Sequence, residues 1–348
     1  MTNLPLPPQA PQQAATSAGA PLSDAGRAKV LTDRIRARFG ATLIGQDMLR
    51  EALITTMIAG GHILIESVPG LAKTTAAQTL ATSVSGSFKR IQCTSDLMPS
   101  DLVGTQVFDF AHQRFTTQIG PIHANFVLLD EINRSNAKTQ SATLEAMAEG
   151  ATTIGGQRIA LPKPFMVIAT QNPIEQEGTF PLPEAQMDRF MLKAVMTYPS
   201  AEEEQRMLAL LSRRGTDAID PSTMGQGRIS IADVEFLRDA ARRVHVSDSI
   251  MNYAVDLVAT SRGAGRRPLP ALASQVRLGA SPRASISLIR IGQAQALING
   301  RDYVIPEDVK AFVHEVLRHR ILLTFEAQAD GVTADQIIDS IVQTVPVP

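Results

Sequence analysis

The chain has one cysteine, no tryptophan and only 4% aromatic residues in a length of 348. A single thiol, Cys93, excludes an internal disulfide framework and cannot build a zinc site alone, so a reducing compartment is expected. Cys93 itself reads as a small apolar residue on a strand. The lack of tryptophan leaves little stacking surface for nucleic acid, and a net charge of −1 supplies no overall phosphate-binding field. The longest apolar runs, FVLL and FMVIA, are far short of the ~20 residues that cross a bilayer. The N-terminus lacks the charged-then-apolar pattern of a secretory signal. A cytoplasmic protein is expected, with no membrane insertion and with nucleic acid an improbable partner. His62, His112, His123, His245, His314 and His319 show no tight metal-ligand spacing.

What is present suits about two domains. Residues 1–22 are rich in Pro, Gln and Ala and carry no charge, the composition of a flexible tail. Two helices are expected over residues 24–60. The first places Val30, Ile35 and Phe39 on one face and ends at Gly40; the second closes at Gly60-Gly61. HILIE, FKRIQC, FVLLD and PFMVIAT then have strand length and read as continuously apolar, as buried parallel strands do. Helices are expected between them, over Lys73–Ser85 and Asn136–Ala148. That alternation argues for an α/β sheet with crossover helices. TQVFDFAHQRFTTQIG and ATTIGGQRIALP read as hairpins inserted before the third and fourth strands. Beyond Pro199 the pattern becomes helical, with Ser200 and Glu203 as a capping box and Ser230, Ser247 and Ser281 as N-caps. Pro282 and Pro306 fit first helical turns. The expected division is an α/β domain over 23–199 and an all-α domain over 200–348.

The stretch HILIESVPGLAKTT, residues 62–75, runs as a strand into a loop and then a helix. It fits the phosphate loop G-x-x-x-x-G-K-[S/T] except at Ser67 and Ala72, where the pattern has glycine. Such a loop works through main-chain N–H groups and the positive end of the following helix. The candidate cradle is Val68, Pro69, Gly70, Leu71, Ala72, Lys73, Thr74 and Thr75. Lys73 would reach the β- and γ-phosphates, and Thr74 would offer a hydroxyl to Mg²⁺. Ala72 is a mild change if its backbone is helical. Ser67 is the sharper departure: if that position needs a positive φ, serine there costs about 1–3 kcal/mol. A tight strand-to-helix turn is the plain alternative.

NFVLLDEINR ends an apolar strand in Asp130-Glu131. One carboxylate there can hold a hydrated Mg²⁺ and its neighbour can deprotonate an attacking water. FMVIATQNP puts the amide of Asn172 just past another strand, where it can position that water. Helix capping and a turn before Pro173 are the plain readings of these two motifs. All three elements fall past the carboxyl ends of parallel strands, where ligands collect in open α/β sheets.

With these motifs the sequence resembles an AAA+ ATPase, and more narrowly the MoxR family. VPGLAKT, LLDEINR, KTQSATLEAMAEG, VIATQNPIEQEGTFPLPEAQMDRF and RLGASPRA carry the likeness, which runs from about Ile44 to the C-terminus. The resemblance implies a P-loop α/β core with parallel sheet and inserted hairpins, followed by a smaller all-α lid. It makes Ala72 a family feature and leaves Ser67 as the departure. It implies Lys73 and Thr74 as the loop pair, Asp130 on the metal side, Glu131 as catalytic base and Asn172 as first sensor. Arg189 would be an arginine finger completing a neighbour's site. Arg283 would be a second sensor reaching from the lid to the γ-phosphate. A solvated surface charge and a residue near a helix start are the plain readings of these arginines. Gly45 and Gln46 match the segment that contacts the base.

The implied function is hydrolysis of ATP with Mg²⁺ in an oligomeric ring, hexameric by resemblance. It would remodel a client protein, with a von Willebrand factor A-domain partner. The alternative is an ATP-dependent binding scaffold or switch with little hydrolysis, for which Ser67 is the motive.

Overall fold

The structure is a computed structural model and describes residues 23–68, 71–173, 178–214, 227–267 and 269–348. The expected tail over 1–22, and Pro69 and Gly70 of the loop, lie outside the described residues.

The strands are β1 (Ile63–Glu66), β2 (Phe88–Gln92), β3 (Gly104–Asp109), β4 (Arg114–Ile119), β5 (Phe126–Asp130) and β6 (Ala151–Ile154). They continue as β7 (Gln157–Ala160), β8 (Met166–Gln171), β9 (Leu192–Val195), β10 (Val276–Leu278) and β11 (Leu322–Leu323). Five of them form one parallel sheet in the order β2-β5-β8-β1-β9. Every residue of β5 is buried, as its apolar run requires. At the edge, β2 differs from expectation. Lys89, Arg90 and Gln92 are exposed and only Ile91 is buried, because an edge strand has one flank in solvent and carries charge there. The other edge, β9, has no counterpart in the sequence reading: four residues with a lysine inside give no strand signature.

Both inserted hairpins are present. β3 pairs with β4, and β6 pairs with β7 around Gly155-Gly156. Their φ values of +56° and +81° are those a two-residue hairpin turn demands, which only glycine adopts freely. The first helix spans Asp24–Thr42 and its buried stripe is Ala28, Leu31, Ile35 and Phe39. Val30 faces outward at 43% exposure, one position off the stripe. The second helix, Asp47–Ala59, ends where Gly60 adopts the left-handed conformation.

The C-terminal part is built on helices Ile231–Arg243, Asp248–Thr260 and Pro282–Ile298, with Ser230, Ser247 and Ser281 as their caps. It is not purely helical: β10 and β11 form a short antiparallel ribbon. Pairings of two or three residues are too short to leave a period in the sequence. The basic segment 261–279 contains helix Leu272–Gln275 and β10, with Leu272 buried. One continuous apolar cluster joins this helical part to the N-terminal helices, with Leu53 and Ile54 in the same core as Leu288 and Ile291. Gln295 donates to Thr55 at 2.6 Å, Arg238 to the Met57 carbonyl at 2.9 Å, and Arg27 to Asp233 at 2.8 Å across the same junction. The helical part therefore packs beside the first two helices.

Candidate nucleotide-binding site

The carboxyl ends of β1, β5 and β8 lie side by side, so the residues that follow them share one shelf. From β1 the chain reaches Ser67, then helix Lys73–Ser83. Ser67 is buried and its N–H extends the ladder to the Gln171 carbonyl at 3.2 Å. Its own carbonyl accepts from Lys73 Nζ at 3.4 Å, which turns the lysine back over the loop.

The strain expected at Ser67 lies elsewhere. Among the described residues, the non-glycine positions with positive φ are Ala72, Gln113 and Glu131. Ala72 sits at φ +56° as the N-cap of the lysine helix, so its backbone is left-handed and not helical. Relieving this with Ala72→Gly removes about 1–2 kcal/mol of steric cost, less about 0.5–1 kcal/mol for glycine's freedom in the unfolded chain. A gain of up to about 1.5 kcal/mol is expected in urea denaturation. Ser67→Gly is expected to lower stability in the same assay, since it loses the Ser67 Oγ to Val68 carbonyl bond at 2.9 Å and relieves nothing.

Thr74 Oγ1 lies 3.4 Å from Asp130 Oδ2. Thr170, at the end of β8, donates its hydroxyl to Asp130 Oδ1 at 2.7 Å and accepts the Glu131 N–H at 2.8 Å. One hydroxyl thus fixes both carboxylate residues, and Glu131 takes its left-handed φ of +58° under that restraint. Glu131 Oε2 accepts from Arg134 Nε at 3.0 Å and Gln92 Nε2 at 3.2 Å. Asn172 is buried just past β8, and its carbonyl accepts from Asn133 Nδ2 at 3.3 Å. The shelf therefore brings together Lys73, Thr74, Asp130, Glu131 and Asn172. The hydroxyl and carboxylate oxygens of Thr74 and Asp130 are hard donors of the kind Mg²⁺ takes when it keeps several waters. Among the described residues, no group of three or more His, Cys, Asp or Glu side chains could hold a metal by itself. Thr170, Gln92 and Arg90 were not singled out by the sequence, where nothing marks a cross-strand partner.

Val68, Leu71 and Thr75 are partly buried around the loop. Gly45 adopts φ +74°, and a Cβ there would lie 2.8 Å from Glu203, so it is the close-approach point beneath helix Ala201–Arg214. Gln46 reaches the Thr197 carbonyl at 3.4 Å. Cys93, next to β2, is buried, and burial and the nearby Asp130 charge push its thiol up to about 12, which makes it inert.

Arg189 and Arg283 lie toward the amino ends of the strands, opposite the shelf. Met191 N–H donates to the His62 carbonyl at 2.8 Å, so the segment before β9 borders the start of β1. Five residues of extended chain separate His62 from Ser67, roughly 16 Å. Arg189 Nη1 donates to the Leu144 carbonyl at 2.6 Å. Arg283 Nη1 lies 3.6 Å from Asp188 Oδ2. Both arginines line one cavity of about 350 Å³ with Arg290 and Arg320. Asp188 is its anchor, accepting from Arg320 Nε at 2.7 Å and Ser281 Oγ at 2.8 Å. In this arrangement Arg283 meets Asp188, and among the described residues no ion pair or hydrogen bond joins its side chain to Lys73 or Thr74. Its side chain leaves the start of helix Pro282–Ile298 beside Arg189, at the opposite end of the sheet.

A parallel sheet with a lysine-threonine loop, a terminal acidic pair and an appended helical lid defines the AAA class of ATPase. Residues 62–192 match the family described as ATPase family associated with various cellular activities (AAA), and residues 271–341 match the AAA lid domain. Chaperone MoxR1 of Mycobacterium tuberculosis is 44% identical over 306 residues, covering 88% of this chain and 79% of that protein. Protein MoxR of Methylorubrum extorquens is 27% identical over 328 residues, covering 90% and 94%. A crystal structure of a candidate ATPase from Cytophaga hutchinsonii aligns with a TM-score of 0.84 at 41% identity, covering 92% of this chain and 97% of that one. The chain belongs to the MoxR family of AAA+ ATPases. Among the described residues no helix is long and apolar enough to cross a membrane.

Proposed function

We propose that this protein hydrolyses ATP to ADP and phosphate in a ring of identical subunits, and that the cycle drives a chaperone-like remodelling of a client protein. The observation that carries this is the cluster Thr74–Asp130–Thr170–Glu131, which sets an oxygen donor pair and an adjacent carboxylate beside Lys73. Lys73 and the first N–H groups of its helix bind the phosphates. Thr74 and Asp130 hold Mg²⁺, which when bound neutralises phosphate charge. Glu131 accepts a proton from the attacking water, and Asn172 orients that water. Gly45 and Gln46 border the base.

Arg189 and Arg283 lie toward the amino ends of the strands, opposite the shelf, so both serve the triphosphate of an adjoining subunit. The lid then senses the neighbour's nucleotide through Arg283 and passes its state to the core through Asp188. The family resemblance favours a hexamer, a cytoplasmic setting and a partner with a von Willebrand factor A domain. The motive for a switch with little turnover was a positive φ at Ser67, and that backbone does not take one, which removes the motive.

Calorimetry with MgATP and steady-state phosphate release test the reading. Lys73→Ala is expected to weaken nucleotide binding roughly 10- to 100-fold. Binding without phosphate release would support the switch. Absence of binding by the unaltered chain would overturn both readings.

A further inference from the structure

We propose that Arg90 competes with magnesium for Asp130, so that the metal is admitted only together with a triphosphate; this rests on the nucleotide-site reading above. Asp130 is 6% exposed and its two oxygens are divided between partners. Oδ1 accepts from Thr170. Oδ2, the oxygen facing Thr74, accepts from Arg90 Nε at 3.2 Å and Arg90 Nη2 at 2.7 Å, with Thr74 Oγ1 at 3.4 Å. A carboxylate offers about four lone-pair sites, two on each oxygen. Three donors already converge on Oδ2, so it has no lone pair left for a metal ion or a metal-bound water.

The sheet register builds this contact. Gln92 pairs with Asp130 across β2 and β5, and Arg90, two residues earlier, shares its face. Arg90 is also free to leave. It lies on the edge strand with 51% of its side chain exposed, so it can swing into solvent without unpacking the core. A dication at Thr74 would repel the guanidinium from the same oxygen. Lys73 and the helix N-terminus add positive charge to the shelf, so free Mg²⁺ meets an unfavourable field until a triphosphate reverses it. Arg90 therefore raises the magnesium requirement of the site and imposes an order on binding.

The test is a Mg²⁺ titration of the binding of a fluorescent ATP analogue to the full chain, with Mn²⁺ binding in the absence of nucleotide followed by electron paramagnetic resonance. For Arg90→Gln the Mg²⁺ midpoint is expected to fall roughly 1.5- to 5-fold, the span of a part-exposed ion pair. Mn²⁺ alone should bind measurably tighter, and nucleotide affinity in EDTA should stay unchanged. Arg90→Lys keeps the charge but loses the two-point contact, so its midpoint should fall less, and it carries the same sign if the glutamine variant fails to fold. A midpoint that stays or rises in both variants overturns the proposal and makes Arg90 a support for Asp130. An unaltered chain that binds no nucleotide at any Mg²⁺ concentration overturns the nucleotide site and this inference together, a result distinguishable from failure in the variants alone.

Discussion

Glu131→Gln is expected to lower ATP turnover by about 10²–10⁴, the usual worth of a positioned general base, and to leave nucleotide binding in place. The separation follows from the division of labour at the end of β5. Asp130 faces Thr74 on the proposed metal side, whereas Glu131 points toward Arg134 and Gln92. A glutamine at 131 keeps an oxygen to accept from Arg134 and Gln92 but cannot take a proton from water. It also keeps the N–H that donates to Thr170, so the left-handed turn at this position survives. Phosphate release should collapse while calorimetric binding of MgATP persists. Unchanged release would mean that the base is another group and that Glu131 is a partner for Arg134. Asp130→Asn should behave differently, losing magnesium dependence first, because its oxygens contact Arg90, Thr74 and Thr170.

The sequence made much of this shelf legible because buried parallel strands are apolar throughout, and the chemistry sits where those runs end. FVLLD announced both its burial and its terminal carboxylates. Legibility failed where tertiary context decides. Ser67 and Ala72 are both departures from glycine, and nothing in the residue types tells which carries the left-handed backbone. Thr170 is one threonine among many until the register of β5 and β8 sets it between Asp130 and Glu131. Strand β9 and the β10–β11 ribbon are too short for their period to show. Arg283 was recognisable by its neighbours Ser281 and Pro282, but where its side chain lies depends on how the helical part docks. That docking is fixed by residues such as Thr55, Gln295, Arg27 and Asp233, far apart in sequence.

That placement leads to the second large effect. Arg189→Ala is expected to reduce turnover by about 10³–10⁵, as loss of an arginine finger does, with nucleotide binding nearly intact. The distinguishing result comes from mixing. Glu131→Gln has a spoiled shelf and a sound arginine end; Arg189→Ala has the reverse. Roughly 16 Å of sheet separates the two ends within one chain, so no single subunit can close its own site with Arg189. In a head-to-tail ring, a shelf from one variant meets an arginine end from the other. With random equimolar mixing, half the shelves and half the arginine ends are intact, so about one quarter of the interfaces regain both. Two nearly inactive proteins should therefore recover on the order of a quarter of the unaltered rate once subunits exchange. Arg283→Ala mixed with Glu131→Gln should recover in the same way, because Arg283 shares the cavity with Arg189. If Arg283→Ala alone is inactive and mixing restores nothing, the lid must swing to its own phosphate loop during turnover. The contact between Arg283 and Asp188 would then have to break in every cycle.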